Sequence, residues 1–150
     1  MQVGLQRSRE AAYYLFYAFF VGELAALLAA TARIDEGLVE IDAALRHAET
    51  SESLWCMPEI LRVKGELLAA RADGKERAAE ECFMQSLDLA RRQEARTWEL
   101  RSAMSLARFW RKGDRTGEAR ALLDAVFSRF TEGFDTTDLK AARRLLAQLS

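Results

Sequence analysis

Residues 59–90 decide the fold, and they read EILRVKGELLAARADGKERAAEECFMQSLDLA. An apolar stripe repeats along the first half at spacings of four, three and four, and it consists of Leu61, Gly65, Leu68 and Ala72. Such spacing places side chains on one face of a helix. Pro58 suits the first helical position, where its missing N–H group is not needed, and Gly74 can adopt the left-handed conformation that ends a helix. This half therefore predicts one helix followed by a tight turn.

The second half of the stretch predicts another amphipathic helix. Its apolar positions also recur at helical spacing, and they are Ala79, Cys82, Phe83, Ser86, Leu87 and Ala90. We expect Glu80, Glu81 and Asp88 to face water on the opposite side. Neither helix can bury its own apolar stripe, so the two helices are expected to fold onto each other and onto neighbouring helices.

The overall composition indicates a helical domain without a strong net charge. The chain has 150 residues, of which 22 are basic and 23 acidic, and a chain of this length buries roughly 70% of its unfolded surface. A net charge near zero argues against bulk attraction to nucleic acid or to anionic lipid. Basic residues outnumber acidic ones from residue 91 onward, which keeps a nucleic-acid contact through this half as a less favoured alternative.

The cysteine and proline content bears on compartment and on domain number. The two cysteines, Cys56 and Cys82, form no CxxC pair, and no secretory signal is evident. We therefore expect a reducing, cytoplasmic location. With one proline and no low-complexity linker, residues 1–150 are expected to form a single domain.

The amino-terminal segment predicts a first helix over residues 9–32, with Ser8 as its N-cap. Its core reads AAYYLFYAFFVGELAALLAA, a length that would also suit a membrane span. We favour a helix covered by protein, because Gly22 and Glu23 interrupt the stretch and the other predicted helices are amphipathic. The aromatic face is expected to pack against a preceding domain or a second subunit, and its candidate interface residues are Tyr13, Phe16, Tyr17 and Phe20.

The remaining chain predicts further helices with the same pattern. Together they give an all-α fold of three antiparallel helix pairs and a capping helix. The pairs cover about residues 9–50, 54–92 and 96–130, and the capping helix covers about 136–149.

Small and large apolar residues align between these pairs at steps of 40 to 42 residues. In the second helices the aligned sets are Gly37, Ala79 and Ala119, then Ile41, Phe83 and Leu123, then Ala44, Ser86 and Val126. In the first helices they are Ala25, Gly65 and Ala107, then Leu28, Leu68 and Trp110. A small residue one turn before a large one lets adjacent helices approach closely while the large side chain fills the gap.

This order of small and large residues resembles the tetratricopeptide repeat. Gly65 and Leu68 stand at its glycine and aromatic positions, and Ala79, Phe83 and Ser86 stand at its alanine, aromatic and alanine positions. The period here is longer than the about 34 residues of that repeat. The resemblance implies a right-handed α-solenoid of three tetratricopeptide-like helix pairs plus a carboxyl-terminal capping helix.

A longer likeness covers about residues 20–149. Four strings carry it: RIDEGLVEIDAALRHAE, PEILRVKGELLAA, CFMQSLDLARRQEARTWELRSAMSLARFW and FTEGFDTTDLKAARRLLAQL. They resemble the carboxyl-terminal helical-repeat region of large bacterial signalling ATPases of the nucleotide-switch (STAND) type, in which a cyclase or DNA-binding domain comes first. The resemblance implies a sensor or interaction arm in signal transduction, and it supplies no catalytic residue.

Motifs of catalysis and of metal or cofactor binding are missing from the sequence. It contains no GxxxxGK[ST] loop and no GxGxxG after a strand. His47 is the only histidine, and one histidine with two separated cysteines gives no ligand cluster. We therefore expect no enzyme activity, no cofactor and no metal site.

One row of charged side chains is the candidate partner-binding site. If first helices line the concave side of the stack, as in tetratricopeptide proteins, the row consists of Arg62, Glu66, Arg101, Met104, Arg108 and Arg111, beside Glu59. Arginines on one surface could bind carboxylates or phosphates of a partner, although a solvated helix face would have the same composition.

These observations predict a non-catalytic scaffold or regulatory arm that binds protein. The alternative is a domain that senses a small molecule or peptide for an ATPase or cyclase regulator. The expected partner is protein, either other domains of a larger regulator or a second subunit, with no membrane contact.

Overall fold

A computed structural model describes residues 33–50, 54–71 and 73–150, and these residues form an all-helical structure without β-strands. A short 3₁₀ turn at Leu54–Cys56 precedes the second helix. The α-helices are α1 (Ile34–Thr50), α2 (Met57–Ala70), α3 (Glu76–Arg92), α4 (Arg96–Lys112), α5 (Thr116–Phe127) and α6 (Thr137–Gln148). The all-α prediction is confirmed for this part of the chain. The predicted first helix, residues 9–32, lies outside the described residues.

Local sequence signals set the ends of these helices. Pro58 is the second residue of α2, which begins one residue earlier than predicted, at Met57. Gly74, in the turn between α2 and α3, has a φ of 78°, in the left-handed region. At the start of α6, the hydroxyl oxygen of Thr136 accepts a hydrogen bond from the backbone N–H of Leu139 at 3.5 Å. Phe127 ends α5, three residues earlier than predicted.

Each described helix packs against the next one in the chain, and α4 is the one that contacts four other α-helices of this part of the chain. It contacts α2, α3, α5 and α6. Nearly every side chain from Glu99 to Ala107 is therefore buried, whereas the sequence predicted a single stripe through Leu100, Ala103 and Ala107. A helix enclosed by four others buries several faces, and no single period reveals this.

The residues that align between the second helices of the pairs are buried in the structure. Gly37, Ile41 and Ala44 are buried in α1, and the same holds for the aligned residues of α3 and α5, which are Ala79, Phe83, Ser86, Ala119, Leu123 and Val126. In the first helices, Gly65 and Ala107 are likewise buried. Leu68 is buried and Trp110 half-buried, whereas Ala25 and Leu28 lie outside the described residues.

Two apolar clusters form the core, and α2 contributes to both. Ile60, Val63 and Leu67 belong to a cluster with Ile41 of α1, whereas Leu68 belongs to a second cluster, which also contains residues of α3, α4, α5 and α6. Trp55 and Trp98 stack on each other beside the first cluster, with ring centroids 5.6 Å apart. The single stripe predicted for α2 was therefore incomplete.

Side-chain contacts define the relative directions of the helices. On α2 and α4, Glu59 lies next to Arg101, and Glu66 lies next to Ser105, so these two helices run in the same direction. Arg101 also pairs with Asp138 near the start of α6, and Arg111 bonds Gln148 near its end. Hence α2, α4 and α6 form one layer of helices with a common direction.

None of the helices in the described ranges is both long enough and apolar enough to cross a bilayer.

Candidate functional site

The arginines predicted to bind a partner are partly neutralised within the fold. Arg62 donates two hydrogen bonds to Glu59, from Nε to Oε2 at 2.9 Å and from Nη2 to Oε1 at 2.8 Å. Its Nη1 also bonds Glu66 at 2.5 Å. Burial by itself would lower the pKa of Arg62, but the hydrogen bond and the charge of Glu59 outweigh this effect and raise it. Arg62 is therefore a structural ion-pair residue.

Arg101 is held in a similar way. Its Nε donates to Asp138 Oδ2 at 2.8 Å, and its Nη1 lies 3.6 Å from Glu59 Oε1. Because Asp138 comes from α6 and Glu59 from α2, Arg101 links three helices of one layer. A partner carboxylate would have to compete with these two contacts.

The other predicted residues of the row differ from one another. Met104 is buried at 4% exposure and belongs to the core, so the prediction that it lies on the binding surface was wrong. Arg111 donates a hydrogen bond to Gln148 at 2.6 Å. Arg108 is exposed. The predicted interface residues Tyr13, Phe16, Tyr17 and Phe20 lie outside the described residues.

A groove of about 660 Å³ lies where α2 ends, α3 begins and α4 ends. We call it the α2–α3–α4 groove. Its apolar lining includes Ala69, Ala70, Phe83, Phe109 and Trp110. Its charged lining consists of Glu66, Glu76, Arg77, Glu80, Arg108, Lys112 and Arg115. Of the predicted row, this groove brings together Glu66 and Arg108.

A network on one side of the groove fixes the ring of Trp110. The indole Nε1 donates to Glu80 Oε1 at 2.6 Å, and Arg115 Nη1 donates to the same oxygen at 2.6 Å. The Arg115 guanidinium also lies over the Trp110 ring, 4.5 Å from its centroid. Arg115 completes its hydrogen bonding with Glu118, at 2.8 and 2.7 Å. Trp110 is therefore oriented before any ligand arrives.

The same network shifts two ionisation equilibria. The hydrogen bonds to Glu118 and to Glu80 hold the pKa of Arg115 above its ordinary value. The hydrogen bond from Arg115 holds the pKa of the Glu118 carboxyl below its ordinary value. The charges of Arg115 and Glu118 therefore persist over a wide pH range.

On the opposite side of the groove, Glu66 is also engaged. Ser105 Oγ donates to Glu66 Oε1 at 2.8 Å, and Arg62 binds the same oxygen. By contrast, Arg108 and Lys112 are exposed and, within the described ranges, have no ion pair. Arg77 pairs with Glu81, but its side chain is 92% exposed, and an exposed pair of this kind contributes little.

Groups with potential reactivity lie elsewhere or are buried. Cys56 and Cys82 are both buried, and burial raises the pKa of each thiol. A raised pKa keeps a thiol protonated and therefore poorly nucleophilic at neutral pH. His47 is exposed at the end of α1. The described part of the chain contains no cluster of three or more histidine, cysteine or acidic side chains suited to a metal ion.

Several groove residues were missed by the sequence analysis. Trp110 was assigned to a buried stripe and Glu80 to the solvent, yet they bond each other across 30 positions. Arg115, which the sequence analysis did not single out, contacts Glu80 across 35 positions.

Comparison with models of known protein families, with curated proteins and with solved structures found no match.

Proposed function

We propose that the chain is a non-catalytic interaction scaffold, or the regulatory arm of a cytoplasmic bacterial signalling protein, which binds a segment of a partner protein in the α2–α3–α4 groove. The observation that carries this proposal is the groove itself. It presents the half-buried rings of Phe109 and Trp110 beside exposed alanines at the junction of three helices. Aromatic residues of this kind supply most of the energy at protein interfaces.

The arrangement of the helices supports a repeat architecture, an α-solenoid of helix pairs closed by α6. In such stacks, first helices contact first helices of the next repeat, and α2 contacts α4 just as α4 contacts α6. The aligned small residues Gly37, Ala79 and Ala119 are all buried. The resemblance to tetratricopeptide repeats supports the same architecture, and repeat proteins of this type present extended surfaces to partners.

The chemistry of the groove favours binding over catalysis. Glu80 is bound to two donors, and Glu66 is bound to Arg62 and Ser105. A general base needs an unoccupied lone pair within reach of its substrate. Both carboxylates use Oε1 to hold the side chains of Trp110 and Arg62 in place, which is a structural role.

A second candidate function, the sensing of a small ligand, is favoured by the size of the groove. Its volume of about 660 Å³ falls within the range of about 300–1,000 Å³ that is typical of small-molecule sites. A ligand that binds the folded state raises its melting temperature. A clear shift with metabolite mixtures would favour the sensor, whereas a scaffold should show none.

The aromatic amino-terminal segment would give a second contact to other domains of a larger regulator or to a second subunit. Because Phe16 and Phe20 lie outside the described residues, this remains a prediction from sequence. A Phe16→Asp plus Phe20→Asp variant should become monomeric in sedimentation if that contact drives self-association.

A peptide selection with one matched pair of variants tests the groove. The immobilised chain is used to select binders from a displayed library of random decapeptides. Ala69 is exposed and lines the groove, whereas Ala121 is exposed on α5 outside it, so Ala69→Trp fills the groove and Ala121→Trp serves as the control.

We expect selected peptides to lose binding to Ala69→Trp by about tenfold or more, which is the loss of one good contact, and to bind Ala121→Trp as they bind the parent. A selection without binders, or with binders indifferent to Ala69→Trp, would reject the groove as a docking site.

A further inference from the structure

Among the described residues, the carboxylates of the α2–α3–α4 groove are mostly paired with arginines, whereas two of its basic side chains have no ion pair. Its carboxylates Glu66 and Glu80 are each bound to an arginine at 2.5–2.6 Å. Its cations Arg108 and Lys112 are exposed and carry no ion pair in the described ranges. Of the acidic lining residues, Glu76 in the first turn of α3 is the one that no arginine or lysine binds among the described residues.

Arg77 is a further basic side chain in the lining of the groove. Its partner Glu81 is itself 58% exposed, and such surface pairs exchange readily with other charges. Four basic side chains and three acidic ones line the groove, and within the described ranges Glu76 is the one of these carboxylates that no cation binds. The lining therefore has a small excess of positive charge, although the whole chain is close to neutral.

Arg108 and Lys112, which have no ion pair in the part of the chain that the structure describes, lie next to the apolar surface of the groove. Both line the groove together with Phe109 and Trp110 of α4. Both lie at the carboxyl-terminal end of this helix, one helical turn apart, and residues four apart project from the same side. An occupant that covers Phe109 or Trp110 thus comes within reach of Arg108 and Lys112.

We propose that the groove selects partner segments in which an acidic residue stands next to a large apolar or aromatic residue. The apolar side chain packs against Phe109 and Trp110, and the carboxylate binds Arg108 and Lys112. This inference rests on the proposed function and specifies the chemistry of the partner. Trp110 is already held by Glu80 and Arg115, so little side-chain freedom is lost on binding.

The polar groups of the groove favour a peptide segment over a polar small molecule. A small-molecule site usually orients its ligand with a few convergent and unoccupied polar groups. Here the side chains of Glu66, Ser105, Glu80 and Arg115 bind one another. For an occupant the groove leaves apolar surface, the cations Arg77, Arg108 and Lys112, and the carboxylate of Glu76.

The charge preference can be read from the decapeptide selection by comparing three proteins. The parent is compared with Arg108→Glu plus Lys112→Glu, which reverses the free charges of the groove. The control is Lys140→Glu plus Arg144→Glu, which makes the same change in net charge on exposed positions of α6 that do not line the groove.

We expect peptides selected on the parent to be enriched in Asp and Glu next to aromatic or aliphatic residues. Their affinity for the groove reversal variant should fall by about tenfold or more, and that variant should itself select Lys-rich and Arg-rich peptides. The α6 control should select the same peptides as the parent.

A second outcome is that selected peptides lose affinity for Ala69→Trp and yet show no enrichment in Asp or Glu. That result would overturn this inference but leave the groove as the docking site. An equal loss on the α6 control would also overturn it, because the attraction would then depend on net charge alone. Failure to select any peptide on the parent would overturn both the inference and the proposed function.

Discussion

Gly65 of α2 lies against the ring of Phe83 of α3 so closely that a Cβ atom at position 65 would be 2.6 Å from Phe83 Cε1 and 2.7 Å from Cδ1. The ring cannot easily move away, because Phe83 is only 2% exposed and protein interiors are close-packed. The distance between α2 and α3 therefore depends on the absence of a side chain at this one position.

Gly65→Ala is expected to destabilise the fold, although alanine is the better helix former. Helix propensity alone would favour alanine by about 1 kcal/mol, but overpacking against Phe83 should cost about 1–3 kcal/mol, and Gly65→Leu should cost more. Urea denaturation measures the difference. Gly117→Ala is the matched control, since a Cβ there meets nothing within 4 Å, and it should leave stability unchanged or slightly higher. Equal stability of the two alanine variants would contradict the close contact.

A second prediction concerns Glu99, which is 3% exposed and is bound by two arginines. Arg91 Nε donates to its Oε1 at 3.0 Å, and Arg129 Nη1 donates to both oxygens at 2.8 and 2.9 Å. Arg129→Met should cost about 1 kcal/mol, because Arg91 remains. Adding Arg91→Met should bring the loss to about 3–5 kcal/mol, since a buried carboxylate is then left without a partner.

Chemical denaturation of the single and double variants tests this non-additivity. Glu99→Leu in the double-variant background is the control, because removing the stranded charge should recover most of the lost stability. Simple additivity of the two arginine substitutions would show that Glu99 does not depend on them.

A third prediction follows from the backbone at the end of α3. Glu94 has a φ of 55°, and Ala95 N–H donates to Ala90 O at 2.9 Å, as in a Schellman motif. Left-handed backbone costs most L-residues about 1–2 kcal/mol, so Glu94→Gly should raise the free energy of unfolding by about 0.5–1 kcal/mol. Glu94→Ala removes the same side chain but keeps the backbone cost. A gain of equal size for both would mean that the side chain is responsible.

A fourth prediction uses the raised pKa values of Cys56 and Cys82. In the unfolded chain a thiol has a pKa of about 8.5, whereas in the folded chain burial raises the pKa and keeps the thiol protonated. The folded state thus binds more protons above this pH, and stability should fall as the pH rises from 8 towards 10. Urea unfolding at both ends of this range should show a smaller fall for Cys56→Ala plus Cys82→Ala. The same fall in both proteins would exclude the thiols as its cause.

Secondary structure and one helix face could be predicted well because their signals are local. All six residues predicted for the stripe of α3, from Ala79 to Ala90, are buried. The second apolar face of α2 could not be predicted, since Ile60 and Leu67 are buried by a helix on another side. Enclosure on several sides is a property of the stack, not of one periodic pattern.

The candidate site was predictable only in part. The pattern predicted Arg62, Arg101 and Arg108 on one surface of the first helices. It could not reveal that Arg101 is paired with Asp138, 37 positions away, while Arg108 has no ion pair among the described residues. Which cations remain available depends on contacts between different helices, and a single sequence contains no direct signal for them.

The enclosure of α4 by four helices has a consequence for hydrogen exchange. Opening α4 disrupts its contacts with α2, α3, α5 and α6, whereas among the described elements α1 contacts only α2 and the short turn at Leu54–Cys56. Amide protons of α4 should therefore exchange slowest, and those of α1 faster. A partner in the groove holds the ends of α2, α3 and α4 together, so it should slow exchange at this end of the molecule and leave the rates in α1 almost unchanged.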